Sequence, residues 1–193
     1  MIAAERALAE ATLLRSQGTA ESLGKAVQKF EEAASLLRTL GDRGREGQML
    51  NFIGVIYQSL GDKNKAMDYF NRSLSLMQAA GDRVGEATSV LNIGLVYDSL
   101  GDKQRSMDAY NRSIELIKGT GDRGLEAQAL HNIGVVYSSL GDKKRALDHF
   151  TRALPMRQEA LEDRLVCLVV ELSAHPEQLG VSLPAEGFPG RAL

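Results

Sequence analysis

The chain has 193 residues, of which 44% are hydrophobic and 25% are charged, and its formal net charge is −2. So small a charge provides no strong field for binding nucleic acid or an anionic membrane, and no apolar run approaches the roughly 20 residues that span a bilayer. Because Cys167 is the only cysteine, an internal disulfide is excluded and a reducing, cytoplasmic location is expected.

Residues 1–40 predict a helix pair that diverges from the segments after it. Its second helix carries apolar residues at the three- and four-residue spacing of one helix face: Ala26, Phe30, Ala33 and Leu36. The first helix, expected at about 3–17, fits this pattern poorly. Glu5 and Glu10 interrupt the apolar core that a secretory signal peptide requires, so no such leader is expected.

A forty-residue repeat occupies the middle of the chain. Three segments align without a gap, at 41–80, 81–120 and 121–160, and 14 of 40 positions are identical in all three. Each segment is therefore one supersecondary module, and stacked modules of this kind bury a continuous core. The pentapeptide SLGDK recurs once in every module, at 59–63, 99–103 and 139–143.

The SLGDK pentapeptide predicts a tight turn between two helices. Apolar residues recur at three- and four-residue spacing on both sides of it, which predicts one helix before the pentapeptide and one after it. Gly141 can adopt the left-handed conformation that ends a helix, and Asp142 can cap the next helix by accepting an orphan backbone N–H. The Gly-Asp-Arg sequences at 41, 81 and 121 predict the same kind of turn between modules.

Gly54, Gly94 and Gly134 lie in the middle of the predicted first helices, where glycine costs about 1 kcal/mol relative to alanine. Their recurrence predicts that the second helix of each module approaches closely at this glycine. The expected neighbours across the contact are Ala66, Ser106 and Ala146.

These modules resemble the tetratricopeptide repeat family. The match covers 41–160, and the third module carries the family pattern at Leu130, Ile133, Gly134, Tyr137, Gly141, Asp142, Ala146, Phe150 and Ala153. The forty-residue period is similar to that of kinesin light chains, Pins-type adaptors and bacterial arrays that precede CHAT peptidase domains. The resemblance implies an all-α fold, a right-handed superhelical array of antiparallel helix pairs.

The module pattern ends near residue 160. Residues 161–174 are expected to form a capping helix, because a solenoid requires cover for the open face of its last module. Val166, Val169 and Val170 make this segment apolar, so self-association through the C-terminal helix is a further expectation. Residues 175–193 are rich in glycine and proline and predict an irregular tail.

The sequence contains no catalytic or metal-binding pattern. Its serines lack the Gly-x-Ser-x-Gly context, and His131, His149 and His175 have no second ligand four residues away. Cys167 lies in an apolar segment without a partner motif, which favours a buried, inert thiol. The sequence therefore predicts a protein that is not an enzyme and that uses no cofactor or metal.

The resemblance also implies a binding surface, because the first helix of each family module lines a concave face. We call the matching positions the groove; they are Gln48, Asn51, Phe52, Val55 and Gln58 in the first module, Thr88, Leu91, Asn92, Leu95 and Asp98 in the second, and Gln128, His131, Asn132, Val135 and Ser138 in the third. Asp98 is the only charged residue among them. Amides interleaved with apolar groups suit a peptide, whose backbone the amides can bind.

The sequence thus favours a scaffold that binds a protein segment in the groove. Because the groove has no lysine or arginine, the expected partner is neutral, mildly basic or apolar, since a buried acidic terminus would lack a counter-charge. Two alternatives stay open. In the first alternative, the chain is the N-terminal sensing part of a larger effector, such as a CHAT-type protease. In the second, it is a self-assembly module that stacks on another copy.

Overall fold

A computed structural model describes the backbone of residues 2–174 and the side chains of residues 2–162. This part of the chain is all-α. Its helices are α1 (Ile2–Ser16), α2 (Ala20–Thr39), α3 (Arg43–Ser59), α4 (Lys63–Ala80), α5 (Arg83–Ser99), α6 (Lys103–Ile117), α7 (Arg123–Ser139) and α8 (Lys143–Ala174). The predicted irregular tail, 175–193, lies outside the described residues.

The helices form antiparallel pairs that stack into a solenoid. Each helix packs against the next one along the chain, from α1 to α8. In addition, α3 contacts α5 and α5 contacts α7, so the first helices of successive modules form one layer. This layer places the groove residues of neighbouring modules side by side. The fold class predicted from the sequence is confirmed.

Glycine and aspartate form the turns as the repeat predicts. Gly141 has a φ of 82°, a left-handed conformation that side chains other than glycine adopt at a cost. The carboxylate of Asp142 accepts the backbone N–H of Arg145 at 2.9 Å and thereby caps α8. The same cap begins the five preceding helices, through Asp42, Asp62, Asp82, Asp102 and Asp122.

Each module is closed by an aromatic ring that lies against the mid-helix glycine. A Cβ atom added to Gly94 would stand 2.6 Å from Cε1 of Tyr110, so the predicted close approach is confirmed. The other two modules repeat the contact with the pairs Gly54–Phe70 and Gly134–Phe150. The expected neighbours need correction, because the nearest atoms belong to a ring four residues beyond Ala66, Ser106 and Ala146.

The last helix differs from the expectation of a separate capping helix at 161–174. These residues continue α8 without a break. In the earlier modules a glycine with positive φ, Gly81 or Gly121, follows the second helix, whereas Leu161 occupies this position of the repeat. Because leucine does not readily adopt the left-handed conformation, the helix continues.

Candidate functional site

The predicted groove residues all lie on α3, α5 and α7, in the layer formed by the first helices. Their side chains differ in exposure. The exposed ones are Gln48, Val55, Gln128, Val135 and Ser138. The half-buried ones are Phe52, Gln58, Thr88, Leu95, Asp98, His131 and Asn132. The remaining three are buried: Asn51, Leu91 and Asn92.

Asn51 and Asn92 join two modules inside the protein. Asn92 Nδ2 donates to Asn51 Oδ1 at 3.1 Å, and both residues are 8% exposed. Asn51 Nδ2 donates to Ser89 Oγ at 3.5 Å, and Ser89 Oγ donates to the carbonyl oxygen of Gly85 at 2.9 Å. Since buried polar groups cost free energy unless they are paired, these bonds stabilise the contact between α3 and α5. The side-chain amides of Asn51 and Asn92 thus form hydrogen bonds inside the protein.

Asn132 is the repeat counterpart of Asn92, but it lacks the corresponding acceptor. The residue forty positions after Asn51 is Leu91, whose side chain cannot accept a hydrogen bond. The Asn132 Nδ2 atom is buried and has no hydrogen-bond partner among the described residues. The boundary between α5 and α7 therefore contains an unpaired buried donor, a feature that costs about 1–3 kcal/mol.

A cavity of about 440 Å³ opens at the groove between α3 and α5. Four residues of the predicted groove line it: Gln48, Asn51, Phe52 and Thr88. The sequence analysis missed the other lining residues, which are Met77, Asp82, Val84 and Gly85. The lining is mostly apolar, and the volume is ample for one apolar side chain of a bound peptide.

Two glycines explain the position of this cavity. The side chain of Met77 lies against both Gly47 and Gly85, and a Cβ atom on Gly47 would stand 3.0 Å from the Met77 Cε. Met77 is 2% exposed and forms the floor of the cavity. At the next module boundary the counterpart of Gly85 is Leu125, a buried residue. Leu125 there lines a cavity of about 490 Å³ together with Thr88 and Gln128, so the lining of the groove differs along its length.

Two cations that the sequence analysis missed lie at the groove. The guanidinium of Arg15, on α1, lies 5.1 Å from the centroid of the Phe52 ring, which is a cation–π contact. Lys103 Nζ lies 2.7 Å from Asp98 Oδ1, so the one groove carboxylate is paired. The groove positions themselves contain no lysine or arginine, but these two cations lie beside them. Arg15 lies on α1 of the divergent pair and Lys103 is the first residue of α6, and the pattern of a single first helix does not include either position.

Two of the histidines contact aromatic rings. The ring centroids of His131 and Phe150 are 5.2 Å apart, and those of His149 and Tyr137 are 5.5 Å apart. Burial lowers the pKa of His149, which favours its neutral form. The side chains of two other candidates lie outside the described residues: Cys167 and His175.

The described residues contain neither a metal-binding cluster nor a membrane-spanning helix. Among them, no group of three or more His, Cys, Asp or Glu side chains is arranged to hold a metal ion. In the same part of the chain, no helix is long and apolar enough to cross a membrane.

Solved structures share this fold at low sequence identity. BtubC (BKLC) from P. vanneervenii is 19% identical, with a TM-score of 0.67 over 98% of this chain and 70% of that chain. MamA is 21% identical, with a TM-score of 0.58 over 82% of this chain and 81% of that chain. A signal transduction ATPase with a tetratricopeptide repeat sensor, from Pyrococcus horikoshii, is 16% identical, with a TM-score of 0.67 over 80% of this chain and 23% of that chain. At such identities the likeness shows the fold alone.

The sequence family is shown by a family model. No curated protein matches the chain, but the model of the tetratricopeptide repeat matches residues 45–119 and 108–159. These matches together span more than half of the 193 residues, and the helix pairs with their Gly-Asp turns agree with them. The chain therefore belongs to the tetratricopeptide repeat family, whose helical arrays are scaffolds for protein interaction.

Proposed function

We propose that the protein is a non-catalytic scaffold that binds an extended protein segment along the groove. One apolar side chain of that segment enters the cavity between α3 and α5. The observation that carries this proposal is the cavity itself, because four groove residues line it. Membership of the family supports a scaffold for protein interaction in general.

The exposed part of the groove offers two kinds of contact to a peptide. Gln48 and Gln128 present amides, which can donate to peptide carbonyl groups and accept from peptide N–H groups. Val55 and Val135 are 37% and 41% exposed, so they present apolar surface that a peptide side chain can cover. Burying a leucine-sized side chain contributes about 1.5–3 kcal/mol, enough to make the cavity the anchor of the complex.

We expect a partner segment that is neutral, mildly basic or apolar, because Asp82 lines the cavity, while Lys103 is paired with Asp98 and Arg15 lies over the Phe52 ring. Asp82 lines the cavity, and its carboxylate accepts the backbone N–H of Gly85 at 2.9 Å. An acidic segment that entered the cavity would approach this carboxylate in a partly desolvated region, where like charges repel more strongly than in water. A donor from a basic or neutral segment would instead find an acceptor there.

Narrowing the cavity tests the proposal. Thr88 lines the cavity and is half-buried, so Thr88→Tyr should place a ring in the space that the peptide side chain needs. Thr12 is also a threonine on a helix, but it is exposed on α1 and lies outside the groove, so Thr12→Tyr is the matched control. Peptides selected from a random displayed library against the wild-type protein would be synthesised, and their affinities for the three proteins would be measured by calorimetry.

The selected peptides should share an apolar residue in a neutral or basic context. Their dissociation constants should rise at least about 10-fold for Thr88→Tyr, a difference of about 1.4 kcal/mol, and much less for Thr12→Tyr. Equal binding to both variants would show that the cavity is not the anchor. Selection of acidic peptides would contradict the proposed partner chemistry.

A second candidate is the sensing part of a larger effector, such as a CHAT-type protease. It is favoured by the Pyrococcus horikoshii ATPase, in which a tetratricopeptide repeat sensor is one part of a much longer chain. A coding sequence that joins this array to an effector domain would allow the test. Effector activity of that whole protein should change when a groove-binding peptide is added, and an unchanged activity would exclude this candidate.

A further inference from the structure

Helix α8 presents an apolar stripe that is open among the described residues. Leu147, Leu154 and Leu161 are 64%, 67% and 60% exposed, and they recur at seven-residue intervals. In the preceding module the counterparts of the first two are Met107 and Ile114, which pack partly buried against a core that includes α7. In the earlier module, this face of the second helix, α6, is covered by the following first helix, α7. On α8 the same face is uncovered among the described residues.

We propose that this face binds α8 of a second copy of the chain in a parallel two-stranded coiled coil, so that the protein is a homodimer. Leucines at seven-residue spacing on one helix face are typical of position d of a coiled-coil heptad. The sequence continues the spacing at Leu168 and has Leu165 and Leu172 at the alternating position a. Helix α8, with 32 residues, is long enough for about four heptads.

Three polar residues occupy a positions of the stripe, and they are compatible with a symmetric pair. Lys144 is exposed at the start of α8, and Thr151 and Gln158 occupy the next two a positions. The Thr151 hydroxyl donates to the carbonyl oxygen of Leu147 at 2.6 Å, so it needs no partner across the interface. In an in-register parallel pair the two Gln158 amides face each other, and each can donate to the other. A polar residue at position a fixes register and oligomeric state at a cost in stability.

Charged residues beside the stripe favour the parallel orientation. In a parallel pair, position g of one helix approaches position e of the next heptad on the other helix, which brings Arg157 to Glu162 and Lys143 to Asp148 of the second copy. Among the described residues no ion pair involves Arg157 or Glu162. An antiparallel pair would instead bring the e positions of the two helices together, with Asp148 of one near Glu162 of the other, and these like charges would repel.

Analytical ultracentrifugation of the purified full chain, over a series of concentrations, tests the proposal. The wild-type chain should sediment as a dimer, and Leu154→Glu should sediment with the 21.0 kDa mass of one chain and an unchanged circular dichroism spectrum. Leu13→Glu is the matched control, because Leu13 is 65% exposed but lies on α1, and this variant should stay dimeric. A wild-type chain that is monomeric throughout, or a Leu154→Glu variant that stays dimeric, would overturn the proposal.

Charge reversal and cross-linking test the orientation even if Leu154→Glu does not fold. Arg157→Glu should raise the dissociation constant of the dimer several-fold, and Glu162→Arg added to it should restore the wild-type value. With Cys167 replaced by serine, Gln158→Cys should form a disulfide-linked dimer, because a parallel interface places the same position of both copies side by side. A dimer that shows neither rescue nor cross-linking would overturn the parallel arrangement.

Discussion

Asn92 and Asn132 occupy the same position in two successive modules, and leucine at these two sites should change stability in opposite directions. Asn92 donates to Asn51 at 3.1 Å in the interior, whereas the buried Nδ2 atom of Asn132 has no acceptor among the described residues. Leucine is similar in shape to asparagine but has no polar group to remove from water, so the substitution reports mainly on hydrogen bonding at each site.

The expected magnitudes follow from the pairing of each amide. Asn92→Leu leaves the Asn51 oxygen buried without its donor, which should lower the free energy of unfolding by about 1–3 kcal/mol. Asn132→Leu removes an unpaired donor and adds apolar contact, which should raise the free energy of unfolding by about 1 kcal/mol. Since 1 kcal/mol shifts the Tm of a chain of this size by about 2–4 °C, the two variants should differ by at least about 4 °C.

Thermal unfolding followed by circular dichroism measures this difference. A third protein is the control: Asn51→Leu combined with Asn92→Leu removes both partners of the hydrogen bond and should regain most of the lost stability. An Asn132→Leu variant that melts below the wild type would refute the reasoning. An Asn92→Leu variant that melts at or above the wild-type Tm would refute it as well.

Gly94→Ala should lower the free energy of unfolding by about 1–3 kcal/mol in a urea titration, because its Cβ atom would overlap the Tyr110 ring. Its control is Gly24→Ala, whose Cβ atom would meet nothing within 4 Å and which should stabilise α2 by about 0.5–1 kcal/mol; equal losses at both sites would contradict the closed contact. Gly101→Val should lower the Tm, since φ at this residue is 83° and valine fits that conformation badly; an unchanged Tm would count against the turn. Burial lowers the pKa of His149 from 6.5, so the unfolded state binds more protons and stability should fall as the pH drops below 6.5. His149→Gln should reduce this dependence, and an unaltered pH profile would show that another group causes it.

The fold was predictable because the information for each module lies within forty residues. Gly141 forms the turn through its backbone conformation, and Asp142 through its side chain. Such local effects can be recognised in one module, and their recurrence in three modules supports the prediction. The sequence also contains a signal for the end of the array, which the sequence analysis did not use. Leu161 replaces the turn glycine of the other modules, yet the apolar segment after it suggested a separate helix, whereas α8 continues through it.

The groove was less predictable, because it forms between modules. The pattern of a single module places Asn51 and Asn92 on the groove faces of their helices, as it does the exposed Gln48. It gives no information on how closely neighbouring first helices approach each other. Because α3 and α5 lie close together, the two asparagines are buried and bonded to each other. Likewise, Met77 on α4 reaches the cavity only because Gly85 on the next helix has no side chain to exclude it.

The leucine at position 161 has a consequence for how such an array can lengthen. Arrays of this kind grow by duplication of a forty-residue unit, and every new unit must attach through a glycine turn such as the one at Gly121. A unit copied directly after residue 160 would bring its own Gly-Asp-Arg turn and could stack on the module before it, whereas a unit joined after Ala174 would follow a helix that does not bend back. Additional modules are therefore expected upstream of Leu161, and the extension of α8 past this residue follows the last copy however many copies precede it.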